Sequence, residues 1–242
     1  MNRMDTRVTE IAFDLLKEIG NEGLNSRTYI AQDIQLDANI VIKEVNKLSI
    51  SPDTTYFAEA RLLYASRHPN VMEIKYASQD DDNLYLAMPY YKNGSLNALI
   101  NNKFLSVPEI IHYGLDFLSA LNYIHSKGLI HFDVKPSNII INDAGKALLT
   151  DFGLAQLTDK YGFAEVPLAY PTHLTPEWFQ ASVFTSQYDV FQAGLTLYRM
   201  CNGNSDFDDK LQNGGVTRDE VVRGIFPDRY KFLPHIPNSL RK

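Results

Sequence analysis

The chain has 242 residues, of which 45% are hydrophobic and 21% are charged, an ordinary composition for a globular protein. This length permits one large domain or two lobes that share a cleft. The formal net charge of −6 argues against a general nucleic-acid binder, because such proteins cluster Lys and Arg against phosphate. The single cysteine, Cys201, excludes an intrachain disulfide, and we expect it to be a small buried side chain.

The sequence gives no sign of a secretory signal or a membrane span. The first ten residues, MNRMDTRVTE, lack the apolar core that a signal peptide needs. No apolar run approaches the roughly 18 residues of a membrane-spanning helix. Together with the single cysteine, these features predict a cytoplasmic protein with no membrane and no nucleic-acid partner.

The N-terminal part of the chain has mainly strand-like patterns. Residues 28–45, TYIAQDIQLDANIVIKEV, hold two β-rich runs around a polar turn at residues 37–39, which predicts a hairpin. Residues 52–66, PDTTYFAEARLLYAS, have an apolar face at helical spacing and a proline suited to a first turn. Residues 71–91, VMEIKYASQDDDNLYLAMPYY, predict two further strands joined by the acidic turn at residues 80–82.

The pattern becomes mainly helical after Lys92-Asn93-Gly94. Residues 107–128, VPEIIHYGLDFLSALNYIHSKG, carry a wide apolar stripe, which predicts a buried helix that ends at the final glycine. The members of this stripe are Ile110, Ile111, Leu115, Phe117, Leu118, Leu121 and Ile124. Residues 187–203, QYDVFQAGLTLYRMCNG, predict a second apolar helix. Strands first and helices later favour an α+β architecture in two lobes.

A short polar loop that leads into a β-branched strand holds the residues best suited to catalysis. Residues 131–141, HFDVKPSNIII, place Asp133, Lys135 and Asn138 together, and Asp151 follows in TDFG. Two acids, an amide and a lysine that converge in a cleft suit phosphoryl transfer. That reaction needs metal ligands, a cation beside the moving phosphate and a carboxylate that orients a hydroxyl.

Six strings follow one another along the chain: VIK, a helical glutamate, HFDVKPSN, DFG, TPE and YDVFQAG. In this order, and with Asp133 and Asn138 five positions apart, they resemble the motifs of compact, possibly bacterial, eukaryotic-type serine/threonine protein kinases. The resemblance runs from about residue 18 to about residue 203. It implies a bilobal protein-kinase-like fold, with a small β-rich N-lobe (1–88), a hinge (89–93) and a mainly helical C-lobe (94–242).

The resemblance also implies roles for individual residues, with ATP and Mg²⁺ as the bound groups. Asp133 corresponds to the catalytic aspartate that accepts the hydroxyl proton, and Lys135 to the lysine that steadies the γ-phosphate. Asn138 and Asp151 correspond to magnesium ligands, whose oxygen atoms suit this hard cation. The implied nucleotide-binding residues are Lys43 with its helix partner Glu59, the glycine-loop residues Gly20, Gly23 and Ser26, and the hinge residues Met88, Tyr90 and Tyr91.

Several further residues receive supporting roles. Asp189 resembles the buried aspartate that supports the catalytic loop, and His131 is expected to pack below that loop. His125 is interpreted as an ordinary surface or core residue. Tyr170 and Thr172 are candidate phosphorylation sites of the activation segment.

The sequence departs from the family pattern at three places. The glycine loop is irregular, with Ser26 at the position of the third glycine, so we expect ATP affinity to be lowered or unchanged. Phe132 replaces the arginine that pairs with a phosphorylated activation loop, which argues against that form of control and not against catalysis. The C-lobe is expected to be truncated, which predicts an apolar surface at its base, with a partner chain, a self-dimer or further sequence as the alternatives for covering it.

Three functions stay open at this point. The leading hypothesis is an active magnesium- and ATP-dependent serine/threonine kinase that acts on a protein substrate. The alternative is a pseudokinase that binds nucleotide or acts as a scaffold, favoured by the irregular glycine loop and the short C-terminus. The third is a small-molecule phosphotransferase. Protein substrates are favoured over this alternative by Lys135-Pro136 and Pro176-Glu177.

Overall fold

The computed structural model describes residues 11–20, 26–49, 61, 64, 67–165, 183–203, 232 and 234–240. The chain divides into two compact units. One consists of Met1–Ala65 and Glu73–Tyr90, and the other of Ser66–Met72 and Tyr91–Lys242. The assignment of residues 89–93 to a hinge stays a prediction.

A five-stranded antiparallel sheet forms the described part of the first unit, with the strand order β1-β2-β3-β5-β4. The five strands are β1 (Phe13–Gly20), β2 (Ser26–Asp33), β3 (Ala38–Asn46), β4 (Tyr76–Gln79) and β5 (Asn83–Pro89). The predicted hairpin and the predicted strand pair are therefore both present, and β3 occupies the centre of the sheet.

The core of this sheet follows from the alternation of side chains along its strands. Ile40 and Ile42 of β3 point to the same face and are fully buried, together with Ala31 and Ala87 from the neighbouring strands. The turn before β3 lies slightly earlier than predicted, because β3 already begins at Ala38 and Asp37 takes a positive φ of 49°. The predicted helix over residues 52–66 lies outside the described residues except for residues 61 and 64, which are helical.

Three helices and three short strand pairs make up the described part of the second unit. The helices are α1 (Leu96–Asn102), α2 (Val107–Ser126) and α3 (Gln187–Asn202). The strand pairs, all antiparallel, are β6 (Leu129–Ile130) with β9 (Gln156–Leu157), β7 (Ile139–Ile141) with β8 (Ala147–Leu149), and β10 (Ala164–Glu165) with β11 (Val183–Phe184). Among the described helices, none combines the length and the hydrophobicity needed to cross a membrane.

The long helix α2 begins and ends at the signals visible in its sequence. Ser106 and Glu109 form a capping box at its start, and Gly128 takes a positive φ of 70° just beyond its end. The helix packs against β8 and α3. These contacts bury the face that carries Ile110, Phe117, Leu121 and Ile124.

The prediction that the whole apolar stripe of α2 is buried was wrong. Ile111, Leu115 and Leu118 are 46%, 65% and 36% exposed. The apolar positions extend around more of the helix than β8 and α3 can cover, so these three side chains stay outside the contact. Helical periodicity identified the apolar positions but not the width of the surface that packs on them.

Helix α3 ends where the sequence predicted, since Gly203 follows it with a positive φ of 76°. Its buried residues include Cys201, a free thiol whose pKa is raised by burial. The same helix also buries four polar side chains, Asp189, Gln192, Thr196 and Arg199. Because these positions are three and four residues apart, they share one face of the helix.

Candidate active site

The loop between β6 and β7 buries an unusual number of polar side chains. Asp133, Lys135 and Asn138 are all less than 9% exposed, and His131 is fully buried. Buried β6 precedes the loop, and a 3-10 turn, Pro136–Asn138, leads from it into β7. Buried polar groups need hydrogen-bond partners, so the side chains of this loop must satisfy one another or bond to neighbouring elements.

Three of the predicted site residues meet within this loop. The ammonium of Lys135 lies 3.1 Å from Oδ2 of Asp133. The side-chain amide of Asn138 donates to the same Oδ2 at 2.8 Å and to the backbone oxygen of Asp133 at 2.9 Å. Oδ2 of Asp133 thus contacts both the Lys135 ammonium and the Asn138 amide, and these contacts fix the orientation of the carboxylate.

Two opposing influences act on the Asp133 carboxyl group. Burial raises its pKa above the ordinary value, and the carboxylate of Asp151 raises it further. The Lys135 ammonium acts in the opposite direction, since a neighbouring positive charge stabilises the ionised carboxylate.

Asn138 and Asp151 have donor chemistry that suits Mg²⁺. Both N–H contacts of the Asn138 amide go to Asp133, so Oδ1 is the atom with which this amide can hold a cation. One carboxylate and one amide oxygen fit Mg²⁺, which keeps several waters and takes phosphate oxygens from its substrate. Within the described ranges, no group of three or more His, Cys, Asp or Glu residues is arranged to hold a metal ion.

The backbone at Asp151 is tied to the same loop through Thr150. Thr150 donates its N–H to the carbonyl of Asn138 at 3.0 Å, and its carbonyl accepts from Nε2 of His131 at 3.0 Å. Asp151 itself has a positive φ of 61°, which is uncommon outside glycine. This conformation and these contacts hold Asp151 next to the loop that carries Asp133.

His131 connects the loop to the segment after β8, in agreement with the structural role that the sequence suggested. Its Nδ1 accepts the backbone N–H of Asp133 at 3.2 Å, which assigns the ring proton to Nε2. The ring also lies edge-on to Phe152, with centroids 4.8 Å apart. The imidazole therefore links the backbone of Asp133 in this loop to the backbone of Thr150 after β8.

Asp189 of α3 holds the start of the loop. Its carboxylate accepts the backbone N–H groups of His131 and Phe132, each at 2.8 Å. Nε2 of His125, near the end of α2, lies 2.7 Å from the same carboxylate. The sequence suggested the supporting role of Asp189 but missed that of His125, for which the one available signal was its spacing of four residues from buried Leu121.

Phe132 is only 2% exposed and its ring is part of an apolar cluster. The other buried members of this cluster are Ile130, Ala164, Phe184 and Tyr188. The backbone of Phe132 has a positive φ of 64°, so its ring and its peptide groups point in directions that an extended residue could not reach. The residue that departs from the family motif is thus fitted to an apolar environment.

Gln192 of α3 also contacts the loop, and the sequence did not predict this contact. Its Oε1 accepts the backbone N–H of Val134 at 2.9 Å, and its Nε2 donates to the carbonyl of Phe132 at 3.2 Å. The side chain is 1% exposed. Its sequence position, 58 residues from Val134, gives no local signal of this contact.

Four of the predicted nucleotide-binding residues of the first unit lie in the strands of its sheet. Lys43 is a buried residue of central strand β3, opposite Thr28 and Leu86, and Met88 is buried on β5. Gly20 ends β1, Ser26 begins β2, and Tyr90 follows β5. Tyr91 belongs to the second unit, while Gly23, Glu59, Tyr170 and Thr172 lie outside the described residues. The roles of all these residues stay predictions.

Comparison with known proteins gives one consistent result. The family model described as "Protein kinase domain" matches residues 13–240. The chain is similar to the serine/threonine-protein kinase PrkC of Bacillus subtilis, with 28% identity over 235 residues, which are 94% of this chain and 36% of that protein.

Two further relatives carry similar names. The probable serine/threonine-protein kinase PknB of Lactococcus lactis is 28% identical over 203 residues, or 81% of this chain and 32% of the relative. The human serine/threonine-protein kinase Nek5 is 29% identical over 203 residues, or 81% of this chain and 28% of the relative. The chain thus spans about a third of the length of the curated relatives that it matches.

Proposed function

Because the chain belongs to the protein kinase domain family, we propose that it transfers the γ-phosphate of ATP to serine or threonine hydroxyls of a protein substrate, with Mg²⁺. The observation that carries this proposal is the contact of Asp133 with both Lys135 and Asn138 on one buried loop. The names of the similar proteins support the choice of serine and threonine as acceptors.

Asp133 would act as the residue that orients the acceptor hydroxyl. Its Oδ2 is engaged by Lys135 and Asn138, so we assign Oδ1 to the substrate hydroxyl. The carboxylate aligns the hydroxyl for in-line attack and accepts its proton as the new O–P bond forms. The leaving group is ADP, and the electron pair of the broken P–O bond stays on its β-phosphate.

Lys135 and the two oxygen donors would handle the negative charge of the phosphates. The Lys135 ammonium, which lies beside Asp133, would contact the transferred phosphoryl group. Asn138 and Asp151 would hold Mg²⁺, which when bound offsets the charge of the phosphate oxygens. Lys43 with Glu59, the glycine-loop residues and the hinge residues would bind the rest of ATP.

The direct test measures phosphate transfer by the wild-type protein and two loop variants. The wild type, Asp133→Asn and Asp151→Asn are each incubated with MgCl₂, γ-labelled ATP and a generic protein substrate. We expect Asp133→Asn to lower kcat by about 10²- to 10⁴-fold, the usual contribution of a positioned acid–base group. Asp151→Asn should raise the Mg²⁺ concentration needed for half-maximal rate.

The matched control is Asp143→Asn, which makes the same change at an exposed acid in the turn between β7 and β8 and should leave the rate unchanged. Nucleotide binding without any transfer would overturn the enzyme assignment and support the pseudokinase alternative. Phosphoamino-acid analysis checks the acceptor. Label on tyrosine alone would contradict the serine/threonine assignment.

A further inference from the structure

Gln192 makes two hydrogen bonds to the backbone, one on each side of the α-carbon of Asp133. The carbonyl of Phe132 belongs to the peptide group before Asp133, and the N–H of Val134 belongs to the peptide group after it. Gln192 donates to the first and accepts from the second. A single side-chain amide therefore bonds to both peptide planes whose rotation sets the direction of the Asp133 side chain.

The remaining polar groups of these two peptides are also satisfied. The N–H of Asp133 bonds to Nδ1 of His131, and the carbonyl of Asp133 accepts from Asn138. With the two bonds from Gln192, all four groups have a partner. In both peptide groups the N–H and the carbonyl are therefore hydrogen-bonded. Loss of Gln192 would remove the partner of one carbonyl and of one N–H.

The backbone before Asp133 needs this support because it is strained. A positive φ at a bulky residue such as Phe132, here 64°, is unfavourable and persists only when the surroundings enforce it. Asp189 holds the N–H of Phe132, and Gln192 holds its carbonyl. Asp189 and Gln192 are three positions apart on α3, so they lie on the same face of the helix. From this face they hydrogen-bond to the peptide groups before and after the α-carbon of Phe132.

We propose that Gln192 is a positioning residue for phosphoryl transfer, which aims the Asp133 carboxylate by clamping the peptide groups on either side of it. This proposal rests on the proposed kinase function. Gln192 acts through its two hydrogen bonds to the backbone on either side of Asp133. Its loss should therefore lower kcat and leave the KM for ATP unchanged, whereas a merely structural glutamine would change only the melting temperature.

The test uses Gln192→Met, which keeps the length of the side chain and removes both hydrogen bonds. Gln187→Met makes the same change at an exposed position in the first turn of α3 and serves as the control. We expect Gln192→Met to lower kcat by about 10- to 100-fold, the scale of a displacement near 1 Å at a reacting group. The KM for ATP should stay within about twofold, and the control should match the wild type in both.

A second variant covers the case in which Gln192→Met does not fold. Gln192→Asn keeps the amide but is one methylene shorter, so it cannot reach both peptide groups and should also lower kcat. Undiminished kcat in either folded variant, or a raised KM with unchanged kcat, would overturn the role of Gln192 while the wild type remains active. Absence of transfer by the wild type itself would overturn both the kinase function and this role.

Discussion

The ring of Phe132 packs edge-on against Tyr188, with centroids 5.2 Å apart and an interplanar angle of 69°. Tyr188 makes a similar contact with Phe184 of β11, at 5.3 Å and 80°. Edge-to-face pairs of this kind add about 0.5–1.5 kcal/mol to the effect of burial. The ring of Phe132 thus links the loop to α3 and to the β10–β11 pair.

Replacing Phe132 with arginine should destabilise the protein by roughly 3 kcal/mol, because the guanidinium would lose its hydration inside an apolar cluster. Chemical denaturation of Phe132→Arg against the wild type measures the change in the free energy of unfolding. Phe104→Arg is the control, since Phe104 is 62% exposed and the same change there should cost less than about 1 kcal/mol. Equal losses at the two positions would contradict the account of the Phe132 pocket.

Phosphatase treatment of active protein should change its rate by less than about twofold, because a phenylalanine at position 132 offers no charge-assisted hydrogen bond to a loop phosphate. Initial rates are measured before and after treatment, and mass spectrometry verifies that the phosphate has been removed. A sample treated with inactivated phosphatase controls for handling. A fall of about tenfold or more would show that loop phosphorylation sets the activity by another route.

The parts of the structure that local sequence signals specify were predicted well. The glycines at positions 128 and 203 follow the ends of α2 and α3, as predicted, because a helix end depends on contacts within a few residues. Asp133, Lys135 and Asn138 lie within six consecutive residues, so their spacing alone was enough to predict that they meet. The fold class rested on such signals together with the order of the motifs.

The contacts between distant segments could not be predicted in this way. His125 meets Asp189 across 64 positions, and Gln192 meets Val134 across 58. Nothing near either residue in the sequence indicates its partner, because the contact depends on how α2 and α3 pack around the loop. The exposure of Leu115 has the same cause, since periodicity does not show how much of a helix another element covers.

Removing the carboxylate of Asp189 should cost about 2–5 kcal/mol of unfolding free energy. Asp189→Ala leaves the buried N–H groups of His131 and Phe132 without their acceptor, and an unsatisfied buried donor costs about 1–3 kcal/mol. Urea denaturation measures the change, and Asp143→Ala at an exposed position is the matched control. A loss below about 1 kcal/mol would mean that the loop finds other acceptors without Asp189.

Glu109, in the capping box of α2, should give the protein a stability that depends on pH. Hydrogen bonds from Lys103 first, and then from the backbone N–H and hydroxyl of Ser106, lower the pKa of Glu109 from 4.5 to about 2. A carboxyl with a lowered pKa in the folded state stabilises it above the unfolded pKa. That contribution is then lost as the pH falls from about 4.5 towards 2.

Glu109→Gln should therefore lower the melting temperature at pH 7 and make less difference at pH 3. Because the Lys103–Glu109 pair is partly exposed and screened by solvent, we expect a loss on the order of only 0.5 kcal/mol at pH 7. Thermal melts of both proteins at several pH values between 7 and 3 measure the difference. Glu73→Gln, at an exposed position outside any helix, should give the same small difference throughout. If the difference for Glu109→Gln stayed constant down to pH 3, its charge would have no part in capping α2.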